Sequence, residues 1–159
     1  CLDGTEAFYL IKLQPMNSAL QINSWEGKRI SLYSSGIGKT LLAWQPLEEQ
    51  KNIVSRLHLE PITVHTITSS DVLLNHLADI RRQGCAMDNE EDGLGIRCMA
   101  MPVFSVDGHV TAAVSISGPL LQMGDASLPG LRAELRKAAR GITSALGGSY
   151  PGTFEDKQL

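Results

Sequence analysis

The sequence predicts an α+β fold, an antiparallel sheet with helices packed on it. Three observations carry that prediction. Asp107-Gly108 lies between two apolar runs, 96–106 and 109–117, and this dipeptide is the strongest short-range hairpin signal. Strand-like segments come mostly as neighbours in hairpins. Helical patterns come between or after them. The length of 159 residues suits one domain, and 43% hydrophobic with 19% charged residues argues against disorder.

The elements follow in chain order. Ala7 to Leu13 is rich in aromatic and branched residues and reads as a strand. Pro15-Met16-Asn17-Ser18 reads as a turn and 20–23 as a second strand, so 7–24 is an expected hairpin. Another turn spans Glu26 to Arg29, and 30–33 is short and extended. Ser34-Ser35-Gly36-Ile37-Gly38 leads into a helical run over 39–44. Pro46 suits the first position of the next helix, with Glu48 and Glu49 against the positive end of its dipole. That helix carries Leu47, Ile53, Val54 and Leu57. Residues 60–68 read as a linker with strand-like residues. Ser69 or Ser70 with Asp71 caps a helix bearing Leu73, Leu74, Leu77 and Ile80, and Gly84 ends it. Leu128, Leu131, Leu135, Ala138, Ile142 and Leu146 recur at steps of three and four, an amphipathic helix stopped by Gly147-Gly148. Residues 149–159 are polar and aperiodic, so the expected domain is 1–148 with a loose tail at 149–159.

Charge and cysteine usage narrow the function classes. Fourteen Lys and Arg against seventeen Asp and Glu leave a net charge of −3, which argues against a chain that grips nucleic acid. Arg132, Arg136, Lys137 and Arg140 are expected on the exposed side of the last helix. No apolar stretch approaches the ~20 residues of a membrane span. Three cysteines, Cys1, Cys85 and Cys98, suit reduced thiols and a cytoplasmic location rather than a disulfide framework. The chain opens at Cys1-Leu2-Asp3-Gly4 without an initiator Met and is expected to be a piece of a longer protein.

A two-residue loop at Asp107-Gly108 would pair Val106 with His109 and set the register of the hairpin. Counting outward, Cys98 falls opposite Ser117 and Ala100 opposite Ser115. Side chains alternate, so these four share one sheet face, while Val103, Val110, Val114 and Ile116 fall on the other as core. Small residues beside a thiol leave a hollow that a small molecule, a helix or plain close packing could fill. Pro102 is unusual within a central strand.

Upstream, Asp88-Asn89-Glu90-Glu91-Asp92 is an acidic run whose spacing does not match a calcium loop. Such runs are usually solvated, and Asp88 is the member best placed to turn inward. The segment 34–40 resembles a phosphate loop only superficially, since Tyr33 stands where the first Gly is required. A Gly-rich helix entry still presents free N–H groups that suit a small anion, or is simply a helix start. His58, His65, His76 and His109 match no metal motif, and Cys85 and Cys98 form no C-x-x-C pair. No nucleophile–base pair is evident, so no catalytic residue, cofactor or metal is expected.

The chain resembles a known family in three blocks. Leu32-Tyr33-Ser34-Ser35-Gly36-Ile37-Gly38-Lys39 with Leu41-Leu42-Ala43 is the first. Asp88-Asn89-Glu90-Glu91 followed by Gly95 to Phe104 is the second, and Ala112 to Pro119 is the third. Together they resemble the effector-binding domain of IclR-type bacterial transcription regulators over about residues 2–147. The resemblance implies a GAF-like fold, a curved antiparallel sheet flanked by helices. It implies a domain that binds a small carboxylate, a 2-oxo acid or sugar acid, and controls DNA binding by a separate N-terminal helix-turn-helix domain. Carried over, the effector site is Gly36, Ile37, Asp88, Cys98, Ser115 and Ser117, walled by Ala19, Ile22, Ile30 and Ile96. Tyr33 stands where many members have His, Ser105 where many have Asp, and Ile37 where Ala is common. The pattern is closest to members that sense sugar acids. Self-association as a dimer or tetramer is expected, through Trp44 and the apolar positions of helix 46–58. The alternative is a GAF-like thiol enzyme, such as a free methionine sulfoxide reductase, with Cys85 and Cys98 as attacking and resolving thiols.

Overall fold

The computed structural model describes residues 1–14, 24–152 and 154. Ten elements follow one another: β1 (Leu2–Asp3), β2 (Glu6–Phe8), β3 (Arg29–Ser31), α1 (Gly36–Ala43), α2 (Leu47–Arg56), α3 (Ser70–Gln83), β4 (Ala86–Asn89), β5 (Ile96–Phe104), β6 (Val110–Pro119) and α4 (Leu128–Ala145). The strands form two antiparallel three-stranded sheets, β1-β2-β3 and β4-β5-β6. The α+β class is as predicted.

Helices pack on both faces of the larger sheet. On one side Leu41, Leu42, Leu73, Leu77 and Ile80 from α1 and α3 form a core with Ala86 and Ala100 of the sheet, and Val110 and Ala113 pack against it. On the other side Met99 and Met101 meet Leu128, Leu135 and Ala139 of α4, with Met87 and Val114 alongside. The alanines admit the backbone of α1 closely, and the long methionines fill the wider gap under α4.

The hairpin register is right, although the loop that sets it differs from expectation. Cys98 pairs with Ser117 and Ala100 with Ser115. Val106 does not pair with His109. The turn instead closes with Ser105 and His109, Gly108 supplies a positive φ of 79°, and Phe104 pairs with Val110. An irregularity between Val103 and Phe104 then skips Thr111 and restores the expected pairs. The bulge turns Val110 to the α1 side, not to the side of Val114, and Ile116 is 36% exposed rather than core.

Other expectations need correction. The first hairpin ends early: β2 stops at Phe8, and Leu10, Ile11 and Leu13 are exposed. Phe8 pairs with Arg29, and Tyr9 and Gly27 continue by hydrogen bonds, so β3 is the partner of β2. The expected strand at 20–23 lies outside the described residues. Pro46 is the N-cap of α2 in extended backbone, not its first helical residue. The linker at 60–68 is as expected, with bends and a turn over 62–66 and no strand. On α4 the buried stripe is Leu128, Arg132, Leu135, Ala139 and Thr143, one step round from the expected stripe, and Ile142 and Leu146 are exposed. Arg132 is therefore buried, not solvated, and donates to the Gln83 carbonyl. Thr143 takes the inner position because its hydroxyl accepts the Phe104 N–H.

Trp44 is not an open contact surface. Its ring meets Phe104 and Phe154 edge-on at 6.3 and 6.2 Å, and Tyr150 joins Phe104 and Phe154 at 5.4 and 5.8 Å. Two aromatics beyond residue 148 thus lie back against the domain.

Candidate functional site

The start of α1 is placed by its glycines. A Cβ on Gly38 would lie 2.1 Å from the Ser31 carbonyl oxygen, so only glycine lets the helix begin this close to β3. Ser35 caps the helix: its Oγ accepts the Gly38 N–H at 3.0 Å and its carbonyl accepts the Lys39 N–H. Among the described residues the Gly36 and Ile37 N–H groups have no such partner, as at any helix N-terminus. Gly36 rests directly on the sheet, where its Cβ position is 3.1 Å from Cys98 Sγ and 3.4 Å from Ala100 Cβ.

The sheet brings the polar residues together beneath that helix end. Asp88, Cys98 and Ser117 stand side by side across β4, β5 and β6, and Ser115 stands opposite Ala100. Register places all of them on the α1 face. Cys98 is 8% exposed, and the hydroxyls of Ser117 and Ser115 reach its thiol. Burial pushes that thiol up to about 11, outweighing the two hydroxyls. Asp88 is buried, and its Oδ1 accepts the N–H groups of Glu91 at 2.8 Å and Asp92 at 3.3 Å. Burial still dominates and raises its pKa to about 6.

The structure thus gathers Gly36, Asp88, Cys98, Ser115 and Ser117. Ile37 contributes its N–H at the same helix end, while its side chain belongs to the core. Ile30 is likewise a core residue, and Ile96, paired with Pro119, stands two residues from Cys98 on the same face of β5. Ala19 and Ile22 lie outside the described residues.

Several polar residues here escaped the sequence reading. Lys39, one turn into α1, is completely buried and donates to Glu91 Oε1 at 2.5 Å and to the Met87 carbonyl at 2.7 Å. The acidic run is therefore not simply a solvated loop, because Glu91 turns inward with Asp88. Ser34 Oγ donates to Asp92 Oδ1 at 2.6 Å, and Thr63 and Thr66 donate to the carbonyls of Glu90 and Glu91. His76 lies 3.4 Å from Lys39, and burial with that ammonium lowers its pKa to about 4. Tyr9 lies near enough to Cys98, Asp92 and Asp88 for their charges to add to burial in raising its phenol to about 12. One signal was available: a lysine in a helix whose eight residues are otherwise small or apolar needs a buried partner. Tyr33 turns away from this group, and its hydroxyl bonds the backbone of Glu60. Ser105 serves the hairpin turn, bonding the Asp107 carboxylate and the His109 carbonyl.

The two thiols do not form a catalytic pair. Cys85 packs with Met99 and Met101 on the α4 side, while Cys98 faces α1. Burial pushes Cys85 up to about 12, so neither thiol is a ready thiolate. Among the described residues no group of three His, Cys, Asp or Glu could hold a metal ion, and no helix is long and apolar enough to cross a membrane.

Residues 1–144 match the family model described as the C-terminal part of the bacterial transcriptional regulator IclR. The chain is 41% identical over 150 residues to the HTH-type transcriptional regulator RhmR of Escherichia coli, covering 94% of this chain and 57% of RhmR. It is 41% identical over 146 residues to the regulator KdgR of Dickeya chrysanthemi, covering 92% of this chain and 48% of KdgR. It therefore spans about half the length of the curated relatives it matches. Among solved structures, the C-terminal domain of E. coli KdgR superposes with a TM-score of 0.82 at 40% identity, covering 92% of this chain and 84% of that one. IclR of Thermotoga maritima superposes with a TM-score of 0.85 at 36% identity, covering 92% of this chain and 59% of that one.

Proposed function

This chain belongs to the IclR family of bacterial transcriptional regulators, as the effector-binding C-terminal region, and from that premise we propose that residues 1–148 bind a small carboxylate at the N-terminal end of α1, beside the β4-β5-β6 sheet. The region is a regulator's GAF-like α+β domain and not an enzyme. The observation that carries the proposal is the free helix end at Gly36 and Ile37 standing over Cys98, Ser115 and Ser117, with Asp88 beside them. Amide donors and the helix dipole take the ligand carboxylate. Ser115 and Ser117 bond its further oxygens, Cys98 forms a polarisable wall, and Asp88 accepts from a ligand hydroxyl. An acceptor of this kind favours a sugar acid over an acid with no hydroxyl.

In the full-length protein, occupation of the site shifts the DNA-binding equilibrium of a helix-turn-helix domain outside residues 1–159. The shift is limited to the ligand's differential affinity for the two states. The regulator is cytoplasmic and acts as a dimer or tetramer, since closed symmetry is the norm for such assemblies. Calorimetric titration with D-gluconate, pyruvate and neutral D-glucose tests the site. Binding of gluconate with no binding of glucose is the expected result, and equal binding of the two would sink the carboxylate assignment. Light scattering at ~10–50 μM tests assembly, and a monomer there counts against it.

A further inference from the structure

The effector site proposed above is assembled from two segments far apart in sequence, 34–39 and 88–92. Two side-chain bonds stitch them together. Ser34 Oγ donates to Asp92 Oδ1 at 2.6 Å, and Lys39 Nζ donates to Glu91 Oε1 at 2.5 Å. Between these stitches, on the first segment, lie the amides of Gly36 and Ile37. On the second, one turn from Glu91, lies Asp88. The Glu91 backbone belongs to the same assembly, since its N–H bonds Asp88 Oδ1 and its carbonyl accepts from Thr66 Oγ1.

The ion pair is an unusual choice for holding a fold together. Lys39 is completely buried and the Glu91 side chain is 8% exposed. Burying both charges costs desolvation that their attraction repays only with full hydrogen bonding, and an apolar pair of similar size often does as well. Here the bonding is incomplete. Lys39 Nζ reaches Glu91 Oε1, the Met87 carbonyl and His76 Nε2, and Glu91 Oε1 also accepts the Asn89 N–H, but among the described residues Glu91 Oε2 is buried without a partner. What the pair supplies that apolar residues cannot is direction. A buried ammonium has one place to go, and it fixes α1 along its axis relative to β4.

We propose that Lys39 and Glu91 are positioning residues of the effector site: neither contacts ligand, and their ion pair sets the separation between the amide donors of Gly36 and Ile37 and the acceptor Asp88. The inference rests on the site described under the proposed function. A ligand carrying a carboxylate at one end and a hydroxyl at the other spans those two groups, so it reports the separation. An acid with no hydroxyl touches only the amide end and is nearly blind to it. The pair is thus a determinant of specificity as well as of affinity.

The test uses Lys39→Met, Glu91→Gln and the double variant, with D-gluconate and pyruvate as probes and thermal unfolding as the control. Each single variant leaves an unmatched buried group and unfolds at lower temperature. The double variant removes both charges and regains most of the native midpoint. Its gluconate affinity nonetheless falls about tenfold or more, the scale seen when supporting contacts around a site are lost, while its pyruvate affinity changes less than about threefold. A refolded double variant with native affinity for gluconate overturns the proposal and leaves the pair as filling. Equal losses for both probes overturn the specificity part. Should the double variant not fold, Lys39→Met alone is titrated below its own midpoint. Weaker gluconate binding with pyruvate binding nearly unchanged is then expected, and unchanged gluconate binding overturns the positioning role. If the native chain binds neither acid, the proposed function itself is what has failed.

Discussion

Gly36 lies against Cys98: a methyl group on Gly36 would stand 3.1 Å from the thiol sulfur and 3.4 Å from the Cys98 carbonyl oxygen. A helix N-terminus is thereby pressed on a sheet face whose residues are small. Gly36→Ala should fold, because the neighbours need to give only a few tenths of an ångström and alanine favours the helix by up to about 1 kcal/mol. Gluconate affinity should fall about tenfold, or about 1.4 kcal/mol, as the amides move off the sheet. Gly38→Ala should instead lose about 3 kcal/mol or more of stability, since its methyl would meet the Ser31 carbonyl at 2.1 Å and Leu32 Cα at 2.7 Å. Chemical denaturation of the two variants checks the contrast, and a stable Gly38→Ala would refute it.

Cys98→Ser should preserve the fold and change ligand affinity by no more than about 1–2 kcal/mol, the scale of one hydrogen bond. The thiol is held neutral by burial and has Ser117 and Ser115 beside it, so a hydroxyl can replace it. Calorimetry of the variant decides this. A complete loss of binding would mean that Cys98 does more than form a wall.

Asp88→Asn should stabilise the unliganded protein at pH 8 by about 2 kcal/mol, because the native carboxylate ionises only near pH 6 against 3.8 ordinarily. The sign follows from proton binding. Between pH 6 and 3.8 the native state holds a proton that the unfolded state has lost, so the native protein gains stability on acidification through that window. The advantage of the Asn variant should fade over the same window. His76 works the other way, with a native pKa of about 4 against 6.5, and its contribution is lost as pH falls from 6.5 to 4. The native profile alone is therefore blunt, and the difference between variant and native denaturation curves is the measurement. A difference independent of pH would rule the explanation out.

Removal of residues 149–159 should cost about 2–4 kcal/mol, since two packed aromatic rings, Tyr150 and Phe154, go with them. Phe154 packs on Trp44 and over Gly84, where any side chain would strike the ring. Trp44 fluorescence should shift to the red as the ring is uncovered. Unchanged emission and stability would show that the aromatic cluster contributes nothing in solution.

The chain by itself should show no sequence-selective DNA binding below about 1 μM at ~150 mM salt. Its net charge is −3, and Arg132 and Arg140 are engaged within the domain, with the Gln83 carbonyl and the Tyr150 ring. Little phosphate neutralisation is left to drive association. Selection from random duplexes followed by a gel shift is the check, and a saturable, selective complex would contradict the division of labour proposed for the full-length regulator.

The amino-acid sequence determined the class of fold, the four helices and the alignment of Cys98 with Ser117, because these depend on local patterns: periodicity, caps and a turn dipeptide. Even there the route was incomplete, since the loop is longer than Asp107-Gly108 and a bulge at Thr111 restores the count. Only the tertiary structure decided which polar groups meet. Lys39 and Glu91 lie 52 positions apart, and although an otherwise small and apolar helix marks the lysine, no local pattern names the carboxylate that meets it. The same holds for Arg132 and Thr143, which take inward positions because the Gln83 carbonyl and the Phe104 N–H await them. Burial of a polar residue depends on its partner, and the partner is chosen by packing between distant segments, which periodicity along one segment cannot see.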